Sequence, residues 1–148
     1  MIAIDTNILV YADSASDPFG RHLRAITLLE YLSLTTNCVP MQVLAEFLNV
    51  SRRKTIMPFE KAITRVESYA LLFDTPVTTL SDLAVAGQLS IRHKLQFFDA
   101  VIIAVAIRAG ATLLLSEDMH DGLVIDGLTI VNPFVAANEG VLADWFDE

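Results

Sequence analysis

Four carboxylates stand where a soluble chain rarely needs them: Asp5, Glu46, Asp99 and Asp118. Asp5 closes the short apolar run Ile2-Ala3-Ile4, and Asp118 lies just beyond Leu113-Leu114-Leu115. Asp99 opens the uninterrupted apolar run Ala100 to Ile107, and Glu46 sits among Val43, Phe47 and Val50 at helical spacing. Converging acids repel one another strongly unless a divalent cation lies between them. Oxygen donors with little His or Cys suit Mg2+ or Mn2+ rather than zinc. Such a cluster can activate water and stabilise charge on a phosphoryl group. These four are therefore the candidate metal ligands and catalytic residues, and metal-assisted hydrolysis of a phosphate ester is the chemistry they offer.

Each acid also has a plainer reading. Asp5 is placed to N-cap the helix that follows, a role worth roughly 1 kcal/mol. Glu46 at the edge of its stripe could pair with Arg53. Asp99 suits the positive end of a helix dipole. Asp118 belongs to the polar run Ser116-Glu117-Asp118-Met119-His120-Asp121, which on its own reads as a solvated turn; Glu117 and Asp121 are its second-rank acids. Their combination shifts the balance, because two acids follow apolar strands, one opens a buried helix and one breaks an apolar stripe. Basic residues are few. Arg52-Arg53-Lys54 and Arg92-His93-Lys94 each lie near a candidate ligand, where they could meet phosphates or simply be solvated helix ends.

Positioning these acids takes alternating strands and helices. The pattern predicts a strand at Ile2–Ile4 and a helix over 7–12. A second helix is capped by Asp17 with Pro18 at its first position and runs to about Leu34, with Leu23, Ile26, Leu29 and Leu32 as core candidates. A short strand at 37–39 follows, then helices opened by Pro40 and Pro58, another short strand at 76–79, and a helix from Ser81 or Asp82 to about His93. The sixth helix spans Asp99 to Ala109 and ends at Gly110. Thr112–Leu115 is an apolar strand. Asp126-Gly127 between Val124-Ile125 and Leu128-Thr129-Ile130 signals a hairpin, and the tail from Val135 to Glu148 reads as a short helix or mobile end. The expected fold class is α/β, a mainly parallel sheet with helices on both faces.

Length and composition agree. The 148 residues fit one domain spanning 1–148, able to bury about two-thirds of its unfolded surface. With 53% apolar and 19% charged residues, disorder is not the default. A single cysteine, Cys38, excludes a disulfide framework and suits a reducing compartment. The longest apolar run falls far short of a membrane span, and the start lacks a signal peptide, so a cytoplasmic protein is expected. The net charge of −8 disfavours direct phosphate binding unless a cation reverses the local field.

Taken in order, Ile4-Asp5-Thr6-Asn7, Gln42-Val43-Leu44-Ala45-Glu46-Phe47, Phe98-Asp99-Ala100 and Leu115-Ser116-Glu117-Asp118 resemble the PIN-domain ribonucleases. The similarity is closest to VapC toxins of type II toxin–antitoxin modules, a subgroup of which ends like Gly127-Leu128-Thr129-Ile130-Val131-Asn132-Pro133-Phe134. The resemblance implies a Rossmann-like three-layer α/β/α sandwich and a Mg2+- or Mn2+-dependent endoribonuclease. It matches Asp5, Glu46, Asp99 and Asp118 to the acidic ligands, and Asn7 and Ser116 to supporting polar positions. It also implies a homodimer, a VapB-like antitoxin, and DNA contact only through that antitoxin. Two rivals remain. A phosphomonoesterase with an Asp nucleophile commonly has a second acid two positions on, where this chain has Asn7. A non-catalytic interaction domain would use the acids only as caps and turns.

Overall fold

The computed structural model describes residues 1–146. Its elements are β1 (Ile2–Ile4), α1 (Thr6–Ala12), α2 (Arg21–Leu32), α3 (Met41–Lys54), α4 (Phe59–Leu72), α5 (Leu80–His93) and α6 (Phe97–Arg108). Then follow β2 (Leu113–Leu115), β3 (Val124–Ile125), β4 (Leu128–Val131), a 3-10 turn at Ala136–Asn138 and α7 (Glu139–Phe146). The sheet order is β1-β2-β4-β3. β1 and β4 both run parallel to β2, and only β3 is antiparallel. Single parallel bridges, Ala3 to Cys38 and Cys38 to Asp74, extend the sheet beyond β1.

The sequence explains the layering. Every residue of β1 and β2 is buried, so both faces of the sheet's centre are covered. Continuous apolar strands of this kind are typical of parallel sheets under helices. α6 has no polar face, and Ala100 through Ala106 are all buried, so it packs as an internal helix. Gly110, at φ +91, takes the left-handed position just past its C-cap. At the hairpin, Asp126 and Gly127 both have positive φ, 47° and 86°, the conformation a two-residue type I′ turn requires. The result is the α/β/α arrangement expected. The final helix accounts for the tail as far as Phe146; Asp147 and Glu148 lie outside the described residues.

Four local expectations are corrected. α2 begins at Arg21, not Pro18, because Gly20 turns the chain at φ +76 and the Asp17 carboxylate accepts from the backbone N–H groups of both Phe19 and Arg21. Leu23 is 70% exposed, since α2 buries Ala25, Leu28, Leu29 and Leu32 instead. Residues 76–79 form no strand; the sheet contact falls at Asp74, whose backbone bonds to Asn37 and Val39. α5 starts one residue ahead of Ser81, with Thr79 and Asp82 in a reciprocal capping box. Asp82 is buried and also accepts from Arg108, which holds its carboxyl below the usual range. Among the described residues, no helix is long and apolar enough to cross a membrane.

Candidate active site

The parallel, in-register pairing of β1 with β2 decides where the acids go. Ile4 lies opposite Leu115, so the residues after both strands leave the same sheet edge. The Asp5 backbone N–H donates to the Leu115 carbonyl (3.0 Å), extending the pairing into the site itself. Ligand sites in open α/β sheets lie beyond the carboxyl ends of the strands.

Asp5 is only 4% exposed. Its Oδ1 accepts from the Thr6 backbone N–H (2.7 Å), which makes it the N-cap of α1. Its Oδ2 accepts from Ser116 Oγ (2.6 Å) and Asn7 Nδ2 (3.1 Å). The cap and the site reading are therefore compatible, one oxygen serving each. Asn7 also reaches Asp118 Oδ2 (3.4 Å) and accepts from the Glu117 backbone N–H (3.1 Å), tying the two strand ends together. Ser116 Oγ in turn accepts from the Met119 backbone N–H (3.2 Å), which fixes its orientation.

Glu46, Asp99 and Asp118 line one open groove of about 920 Å3 with Arg53, Phe98 and Asn49. A space this large exceeds what an ion needs and matches a ligand of nucleotide size. Asp99 and Asp118 also border an adjoining hollow with His93, Lys94 and His120. The basic runs thus flank the acids from two sides. Asp99 sits at the third position of α6, while Gln96 occupies the N-cap without a side-chain bond, so Asp99 makes no N-cap. Glu46 is half-buried and bonds to Thr6 Oγ1 (2.8 Å) and Gln42 Nε2 (3.2 Å) rather than to Arg53.

The second-rank acids turn elsewhere. Glu117 pairs with Arg21 Nη1 (3.0 Å), and Asp121 accepts from the Asn132 backbone and the Asn138 amide. The residue that sequence reasoning overlooked is Thr6. Its hydroxyl joins Glu46, 40 residues away in sequence, to the residue beside Asp5. Its only signal was its place as the small β-branched hydroxyl directly after the acid.

The electrostatics record an uncompensated cluster. Burial pushes the Asp5 carboxyl up to about 6; the Ser116 and Thr6 hydrogen bonds oppose this, and the charges of Asp99 and Glu46 add to it. Asp99 is raised as well, by burial first and then by Glu46 and Asp118. Among the described residues, none of the four acids forms an ion pair with Lys, Arg or His. Nor are any three Asp, Glu, His or Cys side chains drawn as close as a finished ligand set. The donors are all oxygen, negatively charged and short of a cation, yet loosely spaced. That fits Mg2+ or Mn2+, which keeps several waters and uses few direct carboxylates, better than a closed structural cage.

Comparison with known proteins identifies the family and the fold. The PIN domain family model matches residues 2–120. No curated protein sequence matches significantly. VapC20 of Mycobacterium tuberculosis, described as a sarcin-ricin loop cleaving toxin, superposes with a TM-score of 0.65 at 22% identity, covering 80% of this chain and 90% of its own. VapBC2 of Rickettsia felis, solved with a promoter DNA fragment, gives a TM-score of 0.65 at 20% identity over 88% and 97% of the two chains. FitAcB of Neisseria gonorrhoeae gives 0.63 at 19% identity over 90% and 99%. At these identities the superpositions establish a shared fold, and the family match covers most of the sequence. The chain belongs to the PIN-domain family.

Proposed function

We propose that this protein is an endoribonuclease that hydrolyses RNA phosphodiester bonds with Mg2+ or Mn2+. In this reading it is the cytoplasmic toxin of a VapBC-type module, a homodimer restrained by a VapB-like antitoxin and meeting DNA only through that partner. The observation that carries the reading is the buried carboxylate of Asp5, without a basic partner among the described residues, wired through Asn7 to Asp118 and sharing its field with Asp99 and Glu46. When bound, the divalent ion supplies activation of water and neutralisation of phosphoryl charge.

The chain's own residues supply the rest. Asp5, Asp99, Asp118 and Glu46 provide the negative oxygens that would hold the ion. Ser116 and Asn7 fix the Asp5 carboxylate so that it does not swing away when ionised. Arg53 and Lys94, on the flanking walls, offer charge to the phosphates on either side of the cut. No protein nucleophile is called for, so water attacks phosphorus and the 3′-oxygen leaves. The products carry 5′-phosphate and 3′-hydroxyl ends.

The test is cleavage of an end-labelled single-stranded RNA by purified protein. Cleavage is expected with Mg2+ or Mn2+, to stop with EDTA and to resume on adding metal. Undiminished cutting in EDTA, or 2′,3′-cyclic phosphate ends, refutes the mechanism. Thr6→Val keeps the side-chain shape but removes the donor to Glu46 Oε2, leaving Gln42 as its partner. Removing a partner of this kind is expected to lower the cleavage rate by about 10–100-fold, with the melting temperature nearly unchanged. A Thr6→Val enzyme with wild-type rate would show that Glu46 needs no such support.

A further inference from the structure

We propose that Phe98 is a stacking platform for one unpaired base of the RNA, that of a nucleotide beside the cut. α6 is anchored by its buried stretch from Ala100 to Ala106. The two aromatic residues ahead of that stretch stand outside the anchor, Phe97 at 41% exposure and Phe98 at 56%. Single apolar side chains on a surface are ordinary. These two pack together, with ring centroids 5.6 Å apart and planes inclined at 66°. An edge-to-face pair of this kind occupies at most one face of either ring. Phe98 is therefore held by its neighbour and keeps a face free.

Its place gives that face an occupant. Phe98 lines the open groove of about 920 Å3 together with Glu46, Asp99 and Asp118, and it directly precedes Asp99 in the chain. A phosphodiester held by those carboxylates brings a base within reach of the ring. A protein partner could use an aromatic anywhere on the surface, whereas the substrate of the acids has to lie here. Asn49 and Gln96 line the same groove, and Gln96 makes no side-chain bond at its helix cap. Amides of this kind suit the hydrogen-bonding edge of a base whose face is stacked.

Charge makes stacking necessary. The chain has 10 Lys and Arg against 18 Asp and Glu. The groove and its adjoining hollow are each lined by one of these cations, Arg53 and Lys94. Nucleic-acid binding ordinarily draws its affinity from neutralised phosphates. Here two cations share the space with three acids, so phosphate contacts leave little net attraction. Stacking on an aromatic ring needs no charge and contributes a factor of about 5–150 in affinity per base. In a duplex the bases already stack on one another, so the platform accepts only a nucleotide that is unpaired and splayed out. This role rests on the nuclease reading above, which supplies the identity of the ligand.

The test reads binding apart from cutting. It uses the full chain carrying Asp5→Asn, with Mg2+ present and a short, end-labelled single-stranded RNA as the probe. Phe98→Ala is expected to weaken binding by about 5–150-fold, with unchanged circular dichroism because the ring is exposed. Phe98→Trp is expected to bind at least as tightly as Phe98. Trp145 is the chain's only tryptophan; with Trp145→Phe in place, the fluorescence of the Phe98→Trp protein is expected to be quenched as RNA is added. A single abasic site moved along the strand is expected to weaken binding at one position by the same factor as Phe98→Ala. At that position it is expected to cause no further loss in Phe98→Ala protein, since both changes remove one contact. RNA binding undiminished by Phe98→Ala, fluorescence of the Phe98→Trp protein that ignores RNA, or abasic and Phe98→Ala losses that add in full each overturns the platform. Wild type that cuts RNA while Phe98→Ala binds it equally well would remove the platform and leave the nuclease standing. RNA held through Phe98 by a wild type that cuts with no metal would do the reverse.

Discussion

Asp5→Asn is expected to abolish RNA cleavage and, at the same time, to stabilise the metal-free fold. The carboxyl of Asp5 has an ordinary value of 3.8, and burial raises it to about 6 in the folded chain. Because the folded value is the higher one, the folded state holds this proton more tightly than the unfolded chain does. Below about pH 3.8 both states are protonated and the group costs nothing. As pH rises through about 6, the folded state has to carry a buried charge. The full difference, at about 1.4 kcal/mol per pH unit, is roughly 3 kcal/mol at neutral pH. Asparagine has nearly the same shape and no charge to bury; its oxygen keeps the Thr6 bond and its NH2 donates to Ser116 Oγ, at the cost of the bond from Asn7, which offsets part of the gain. For a chain of this size the melting temperature should rise by several degrees at pH 7.5 and barely change at pH 4. Cleavage should fall by about 10²–10³-fold, on the scale seen when one essential electrostatic group is lost. Thermal melts at the two pH values and a cleavage assay on the same preparation decide it. Retained cleavage removes Asp5 from the mechanism. A lower melting temperature at pH 7.5 would show that its ionised form is stabilised by something other than a bound cation.

The second large effect is metal-linked stability. A ligand that binds only the folded state at a hundred times its dissociation constant adds about 2.7 kcal/mol, which here corresponds to a rise of roughly 5–10 °C in melting temperature. Mn2+ or Mg2+ should produce such a rise at pH 8. At pH 5, about one unit below the raised value of Asp5, only about a tenth of that carboxyl is ionised. Proton and metal compete for it, so apparent affinity drops about tenfold and the thermal shift shrinks by about half. The upward shift of Asp99 acts in the same direction. Asp5→Asn should show little shift at either pH. Equal shifts at pH 5 and pH 8 would place the ion elsewhere, and no shift at all would favour a non-catalytic domain.

The layered fold was readable because its strongest signals are local. Leu113-Leu114-Leu115 and the apolar run of α6 admit few arrangements, and Asp126-Gly127 dictates its own turn. Boundaries failed where a side chain overruled a preference. Pro18 favours a helix start, yet the Asp17 carboxylate satisfies the Phe19 and Arg21 amides first and delays it. Leu23 fits a helical stripe on paper but lies on the wrong side of α2. The candidate acids were legible as residues out of place. What no spacing could reveal was their division of labour at close range. The pairing of Glu117 with Arg21 bridges 96 positions, and the Thr6–Glu46 bond bridges 40. Both follow from how helices pack, not from any periodicity.

The neighbour of β1 in the sheet is a strand more than a hundred residues downstream. During synthesis, the first acid therefore emerges long before the surface that completes its surroundings. Asp5 precedes Ser116 and Asp118 by more than a hundred residues, and β2 itself lies between β1 and the still later β4. Parallel pairings across such separations close slowly. A nascent chain thus carries the first three acids well before the strand that brings the fourth. On the reading proposed above, the site is incomplete until the second strand has been made and has paired with the first.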